Sequence, residues 1–301
     1  MTAPTPIHGG FDEAELHHVL DQACLAAGLD PTGARLLRGH TNAVILLEKS
    51  PVVVKIARRG SNISDVQRTV RFVQILMENE FPTVPLHPIP EQPAVINEHA
   101  VTFWVYLPQP ARPVMAAQLA KPLHALHNFP LPSFPVKRHD NIRAIRKSLS
   151  ATTSLPEGVI TYLKQRADRL EMELAGVHFE LTEGILQGDP QHRNALHDRG
   201  RVVLCDWDTF SLGQPEWDLV TVEVHCRRFG YGTDHYQKFA EEYGYDITKS
   251  PGFRTLRDVR ELRMITTNAR KAIHSPGSLT EVERRIHGLR HENDQLQWNI
   301  L

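Results

Sequence analysis

The sequence is poor in the features that mark secreted, membrane-spanning or nucleic-acid-coating chains. Only three cysteines, Cys24, Cys205 and Cys226, occur among 301 residues, with no Cys-x-x-Cys pair. That argues against a disulfide framework and suits a reducing compartment. No run approaches the ~20 uninterrupted apolar residues of a membrane helix. The N-terminal stretch has neither the basic region nor the apolar core of a secretory signal, so a cytoplasmic location is the expectation. Lys and Arg number 34 against 35 Asp and Glu. With no surplus of positive charge, neither a nucleic acid nor a membrane surface is expected as a partner. Also missing are a Gly-x-x-x-x-Gly-Lys-Ser/Thr loop, a His-Glu-x-x-His helix, and the Asp-Phe-Gly and Ala-Pro-Glu marks of a protein-kinase activation segment. Gly230-Tyr231-Gly232 lacks the third glycine and the preceding strand of a dinucleotide fingerprint.

What is present supports a large core shared between two domains. Asp12 is placed to cap a helix whose Leu16, Val19, Leu20, Ala23 and Ala27 share one face, with Gly28 ending it. Arg35 to Gly39, Asn42 to Leu47 and Val52 to Ala57 read as a β-meander, and the short connections make it antiparallel. A helical period puts Val66, Val70, Val73 and Met77 on one side, and strand character returns at Val95 to Ile96 and Val101 to Leu107. The stretch Pro108-Gln109-Pro110-Ala111-Arg112-Pro113 breaks regular structure. It sets the expected boundary between a domain of residues 1–107 and one of residues 108–301. Beyond it the pattern is mainly helical: Val114 to His127, Asp140 to Leu149, Pro156 to Ala175, and again from Glu216 onward. Loops and two short strands interrupt it from Gly184 to Phe210.

The most informative stretch is Gln187-Gly188-Asp189-Pro190-Gln191-His192-Arg193-Asn194, followed by Val202-Val203-Leu204-Cys205-Asp206-Trp207-Asp208. An Asp precedes an Asn by five positions, and an apolar strand then delivers a second Asp. Phosphoryl transfer uses that set of groups. One carboxylate orients and deprotonates the attacking hydroxyl, while an amide oxygen and another carboxylate hold Mg²⁺ against nucleotide phosphates. Upstream, Lys55 lies inside the apolar run Val52 to Ala57. A buried ammonium needs an anion, and phosphates are the natural candidate. Alone, Lys55 reads as an edge-strand residue with its head in water; the Asp/Asn/Asp set turns that reading toward phosphate. Gly39-His40-Thr41-Asn42 separates the first two strands, where backbone N–H groups could approach phosphates or simply close a hairpin.

Together these residues resemble the aminoglycoside phosphotransferase family, within the wider protein-kinase-like fold. The resemblance rests on Gln187 to Asn194, Cys205-Asp206-Trp207, Gly213-Gln214-Pro215-Glu216-Trp217-Asp218-Leu219 and the helix segment Leu123-His124-Ala125-Leu126-His127. It implies an α+β, two-lobed fold, with a small antiparallel-sheet N-terminal lobe that binds nucleotide and a larger, mainly helical C-terminal lobe. It also implies Asp189 as catalytic base, Asn194 and Asp206 as Mg²⁺ ligands and Lys55 as the phosphate-binding lysine. Gly39 and Asn42 would lie near the phosphates. The strand containing Trp104, Val105 and Tyr106 would be the hinge that meets the purine.

The sequence departs from that family at two points. Gln187 stands where the family has His, which keeps a hydrogen-bonding group and removes a titrating one. The helix after Lys55 should offer a glutamate, yet from Ile56 to Met77 the only acid is Asp65, and Thr69 stands near the expected place. Either Asp65, Glu78 or Glu80 substitutes, or phosphates alone hold Lys55. Asp208 could assist a second metal through water or be a solvated acid. Arg193 could neutralise transferred phosphate or face outward. Cys226, His124 and His127 read as packing residues. Acids of the helical lobe, Glu223, Glu241, Glu242, Asp258 and Glu261, are candidates for a cationic acceptor, whereas Asp218 would bond backbone near the catalytic loop. The expected activity is Mg²⁺-dependent transfer of the γ-phosphoryl of ATP or GTP to a hydroxyl of an aminoglycoside-like or other small acceptor, antibiotic resistance being one possible role. The alternative is a catalytically silent nucleotide-binding scaffold. Oligomeric state is not legible.

Overall fold

The computed structural model describes residues 6–7, 10–39 and 41–301. The chain divides into two compact units, one of Met1–Arg112 with Leu196–Asp208, the other of Pro113–Ala195 with Thr209–Leu301. The expected cut after residue 107 falls in the same proline-rich stretch as the first crossing. A single cut leaves out the return of residues 196–208.

The first unit begins with two short paired strands, β1 (Pro6–Ile7) and β2 (Phe11–Asp12), and helix α1 (Glu13–Ala27). The Asp12 side chain accepts from Glu15 N at 2.8 Å, and Gly28 closes α1 at φ 68°, where a Cβ would be strained. Next come β3 (Arg35–Gly39), β4 (Asn42–Leu46), β5 (Val52–Ala57), α2 (Ile63–Glu78), β6 (Ala94–Ile96) and β7 (His99–Val105). They form an antiparallel sheet in the order β3-β4-β5-β7-β6, so β5 is central and Lys55 is not an edge residue. Strand alternation sends Val52, Val54 and Ile56 into one core with Leu16, Val19, Leu20 and Ala23 of α1. Each such buried Val, Leu or Ile side chain contributes on the order of 2 kcal/mol. Lys55 projects from the opposite face. The buried stripe of α2 is Thr69, Val70, Phe72, Val73 and Leu76, which corrects the expected face. Val66 is half-buried and Met77 exposed, because Phe72 and Leu76 carry the larger apolar surfaces inward.

The second unit contains α3 (Ala116–His127), α4 (Asn141–Ser150), α5 (Glu157–Leu174) and β8 (Gly184–Leu186). The hairpin strands β9 (Ala195–Asp198) and β10 (Arg201–Leu204) follow and belong, but for Ala195, to the first unit. The second unit resumes with β11 (Ser211–Gly213), α6 (Glu216–Arg228), α7 (Thr233–Tyr243), α8 (Phe253–Lys271) and α9 (Leu279–Arg290). The 184–210 region and its flank thus hold four strands where two were expected. Two of them, β8 and β11, are three residues long and pair antiparallel. Helix α6 is buried along its whole length except at Arg227 and forms the centre of this unit. Strand β8 runs so close to the end of α3 that a Cβ on Gly184 would sit 2.1 Å from the His127 carbonyl oxygen.

The hairpin is held to the first unit by backbone bonds, Val84 N to Leu204 O at 3.0 Å and Leu204 N to Pro82 O at 2.9 Å. Just beyond it, Trp207 is fully buried edge-on against Phe72 and Phe81, and its indole donates to Thr83 Oγ1 at 2.9 Å. This insertion fixes Asp206 and Asp208 on either side of it. Asp206 adopts φ 58°, a left-handed conformation that non-glycine residues take only when their surroundings impose it.

Candidate active site

In the first unit, the Lys55 side chain is 14% exposed and its Nζ donates to Asp206 Oδ1 and Asp208 Oδ2, both at 2.8 Å. Burial alone would lower the lysine pKa, but the two carboxylates overcome it and raise it, so Lys55 stays charged. Asn42 Nδ2 donates to the same Asp208 oxygen at 2.8 Å, and Arg38 Nη2 lies 3.6 Å from Asp206 Oδ2. The acid that answers Lys55 therefore comes from the chain after β10. Asp65 instead pairs with Arg68 at 2.7 Å, and Thr69 Oγ1 donates to the Asp65 carbonyl. Asp208, though 42% exposed, bonds both Lys55 and Asn42 and so ties the two together. Gly39 ends β3 opposite Ala43, and His40, in the turn expected there, lies outside the described residues.

The hinge expectation meets a specific constraint. Val105 N donates to Pro85 O at 2.9 Å and Tyr106 N to Pro51 O at 2.8 Å. Trp104 is 9% exposed and donates its indole N–H to Thr102 Oγ1 at 2.8 Å. The backbone N–H groups of Val105 and Tyr106 are thus committed inside the first unit.

In the second unit, the loop from Gln187 to Asn194 is clamped from below. Asp218, with no exposed surface, accepts from Gln187 N at 2.8 Å and Gly188 N at 2.9 Å. His127 Nε2 lies 3.0 Å from Asp218, and its Nδ1 lies 2.6 Å from the Tyr243 hydroxyl. A carboxylate cannot donate, so Nε2 is the donor of the first contact. The backbone-bonding role expected of Asp218 is thus visible as geometry. Gln187 takes up the place of the expected histidine by accepting Asp189 N on its Oε1 at 2.7 Å. Gly188 has φ 84°, and a Cβ there would lie 2.3 Å from the Thr209 carbonyl oxygen.

Both oxygens of Asp189 are engaged. Oδ2 accepts from Gln191 Nε2 at 2.9 Å and more distantly from Asn194 Nδ2, while Oδ1 is paired with Arg260 Nη2. Asn194 Nδ2 also donates to the Asp189 carbonyl at 2.9 Å, which fixes the amide so that Oδ1 points elsewhere. That buried Oδ1 has no hydrogen-bond partner among the described residues. A buried amide oxygen without a donor is a hard-oxygen group of the kind that suits Mg²⁺, as, separately in the first unit, is the carboxylate of Asp206.

Arg260 was not legible as a site residue, although a signal existed. On α8 it stands at i+4 from Leu256 and i−3 from Arg263, so an amphipathic helix turns both arginines toward its buried side. The structure also gathers His192, Cys226 and His235, whose ligating atoms lie within 4.8 Å of one another. His235 Nε2 accepts from Ala116 N at 3.0 Å and meets His192 Nε2 at 2.9 Å, so His192 is the donor of that pair. Tyr231 stacks on both rings, and burial raises the Cys226 thiol pKa.

The model of the phosphotransferase enzyme family (APH) matches residues 32–258. The chain belongs to this family. No curated protein sequence matches. Among solved structures, this phosphotransferase is similar to the amicoumacin kinase hAmiN in complex with AMP-PNP, Ca²⁺ and Ami, with TM-score 0.71 and 16% identity over 96% of each chain. It is also similar to the choline kinase LicA from Streptococcus pneumoniae, with TM-score 0.65 and 14% identity over 92% of this chain and 99% of that one. The streptomycin-ATP-APH(2")-IIa ternary complex gives TM-score 0.59 and 12% identity over 90% and 96%. At these identities the likeness establishes the fold, which is the two-lobed, kinase-like α+β fold expected from sequence. A family of small-molecule phosphotransferases is what the chain joins. Among the described residues no helix is long and apolar enough to cross a membrane.

Proposed function

We propose that this phosphotransferase moves the γ-phosphoryl group of ATP or GTP to a hydroxyl of a small molecule. The observation that carries the reading is the clamped loop from Gln187 to Asn194, which presents a carboxylate and an unpartnered amide oxygen five residues apart. In this reading the acceptor oxygen attacks the γ-phosphorus, forming the new O–P bond as the bridging bond to the β-phosphate breaks. The nucleoside diphosphate leaves, and the hydroxyl proton passes to Asp189. Asn194 and Asp206 are the proposed holders of Mg²⁺, which would neutralise phosphate charge when bound. Lys55, kept cationic by Asp206 and Asp208, is assigned to the phosphates. Gly39 and Asn42 are assigned to the same end of the nucleotide. The Trp104 to Tyr106 segment is assigned to the purine as a contact surface, since the Val105 and Tyr106 amides are spent. Catalysis would come mostly from positioning and electrostatics.

The solved neighbours suggest antibiotics and amino alcohols as acceptor classes. Three cysteines that form no disulfide suit a cytoplasmic setting. A second reading, the silent nucleotide-binding scaffold, is favoured by one observation: Arg260 covers an oxygen of the proposed base. Mass spectrometry of a mixed panel of antibiotics, amino alcohols, sugars and hydroxy acids, incubated with ATP or GTP and Mg²⁺, separates the two. A phosphate adduct made by wild type and absent with Asp189→Asn supports transfer. Mg²⁺-dependent nucleotide binding with no adduct across the panel supports the scaffold.

A further inference from the structure

The charge of the acceptor can be read from the groups around Asp189. A site for a cationic acceptor needs carboxylates that the protein has not already neutralised. The acids expected in that role are spent on arginines: Glu223 on Arg227 at 2.8 Å, Glu261 on Arg227 and Arg228 at 2.7 and 2.6 Å, and Asp258 on Arg166 and Arg257 at 3.2 and 2.9 Å. Glu241 and Glu242 stand exposed on α7.

What borders Asp189 is instead cationic. The Arg260 side chain is only 6% exposed, and besides the Nη2 contact to Asp189 its buried Nε has no partner among the described residues. One turn later Arg263 donates Nη1 to the neutral amide of Asn141 at 3.0 Å. Burial first, then repulsion from Arg260, pushes the Arg263 pKa down to about 10, an effect that Asp189 and Asp140 offset only in part. His139 is likewise pushed down to about 4 by burial and then by Arg263, so it brings no charge of its own. A desolvated guanidinium pair with too little negative charge is a vacancy for an oxyanion, and the planar fork of arginine matches carboxylate or phosphate geometry.

We propose that Arg260 and Arg263 form an anion subsite beside Asp189, and that the acceptor carries a carboxylate or similar oxyanion near its reacting hydroxyl. This rests on the phosphotransfer reading and narrows its acceptor. It also accounts for the covered base. An anionic substituent that draws Arg260 to itself leaves Asp189 Oδ1 to the hydroxyl, so the base is freed when an acceptor of the right charge arrives.

The test is calorimetric titration of the full chain, saturated with Mg²⁺ and AMP-PNP, with malonate and separately with ethanolamine. Expected is one saturable malonate site, weakened at least tenfold in Arg263→Gln and lost in Arg260→Gln, with no saturable ethanolamine heat. Arg263 is half-buried and bonds only a neutral amide in the contacts described above, so its variant carries the test if Arg260→Gln fails to fold. Malonate affinity unchanged in Arg263→Gln, ethanolamine binding in place of malonate, or the absence of saturable malonate binding overturns the subsite. Competition between malonate and AMP-PNP also overturns it, by assigning the arginines to the transferred phosphoryl group. Failure of wild type to bind AMP-PNP overturns the phosphotransfer reading itself, and is seen in the same experiment before malonate is added.

Discussion

Lys55 and Arg260 are both buried cations held against a carboxylate from a distant part of the chain, yet their settings leave opposite charges in excess. At Lys55 two carboxylates meet one buried ammonium, and Arg38, 41% exposed, lies 3.6 Å from Asp206. At Asp189 one carboxylate meets a buried guanidinium with a second arginine a turn away. The first setting suits a divalent cation and the second an anion. What the difference teaches is that the same ion-pair motif can prepare opposite ligands, depending on which partner is outnumbered.

The strongest way to break this comparison is Asp189→Asn. Turnover should fall about 10³-fold or more if the carboxylate accepts the hydroxyl proton, with nucleotide affinity nearly unchanged. Arg260 then loses its anion, and denaturant melts should show about 2 kcal/mol of lost stability, discounted from the fully buried case because Asp189 is 31% exposed. Near-normal turnover would remove Asp189 from its role.

Asp218→Asn comes next. The carboxylate accepts two backbone N–H groups with no exposed surface, and an amide can serve only one of them while aiming its own N–H₂ at the other. A loss of about 3 kcal/mol and at least a tenfold fall in kcat are expected, measured by chemical denaturation and steady-state kinetics. Unchanged stability would mean that the loop is held some other way.

Asp208→Asn should be milder, about 1 kcal/mol or less. Lys55 keeps Asp206, and Asp208 is 42% exposed, where solvent screens the pair. A loss as large as that of Asp218→Asn would contradict the account of Lys55 as doubly paired.

The smallest effect is the pH dependence contributed by His139. Burial, then Arg263, lowers its pKa from 6.5 to about 4 in the folded state. Between those values the unfolded chain binds the proton more readily. The stabilisation is therefore complete above pH 6.5 and is lost as pH falls toward 4. A thermal melt series from pH 7 to 4.5 should show this decline, and His139→Gln, which can keep a bond to Ser211, should flatten it. An equally steep decline in the variant would assign the pH dependence to other groups.

Short-range patterns in the sequence were sufficient for several parts of the molecule. Asp12 and Gly28 bound α1 because caps depend on neighbouring backbone, and alternation in Val52 to Ala57 puts Lys55 on the face opposite its apolar neighbours. The face of α2 was misjudged because periodicity counts apolar residues without weighing their size, and Phe72 and Leu76 outweigh Met77. The missing glutamate is instructive. A search confined to the helix after Lys55 could not find acids that lie 151 and 153 residues away.

The sequence alone determined the residue types of the proposed phosphoryl-transfer set, the change from a sheet-rich first part to a mainly helical second part, and the family, because these are written in local spacing. Only the tertiary structure decided which carboxylate answers Lys55, that Asp218 clamps the loop and that Arg260 covers Asp189. Those choices depend on burial and on which charges fold into contact, and neither quantity exists until distant segments are brought together.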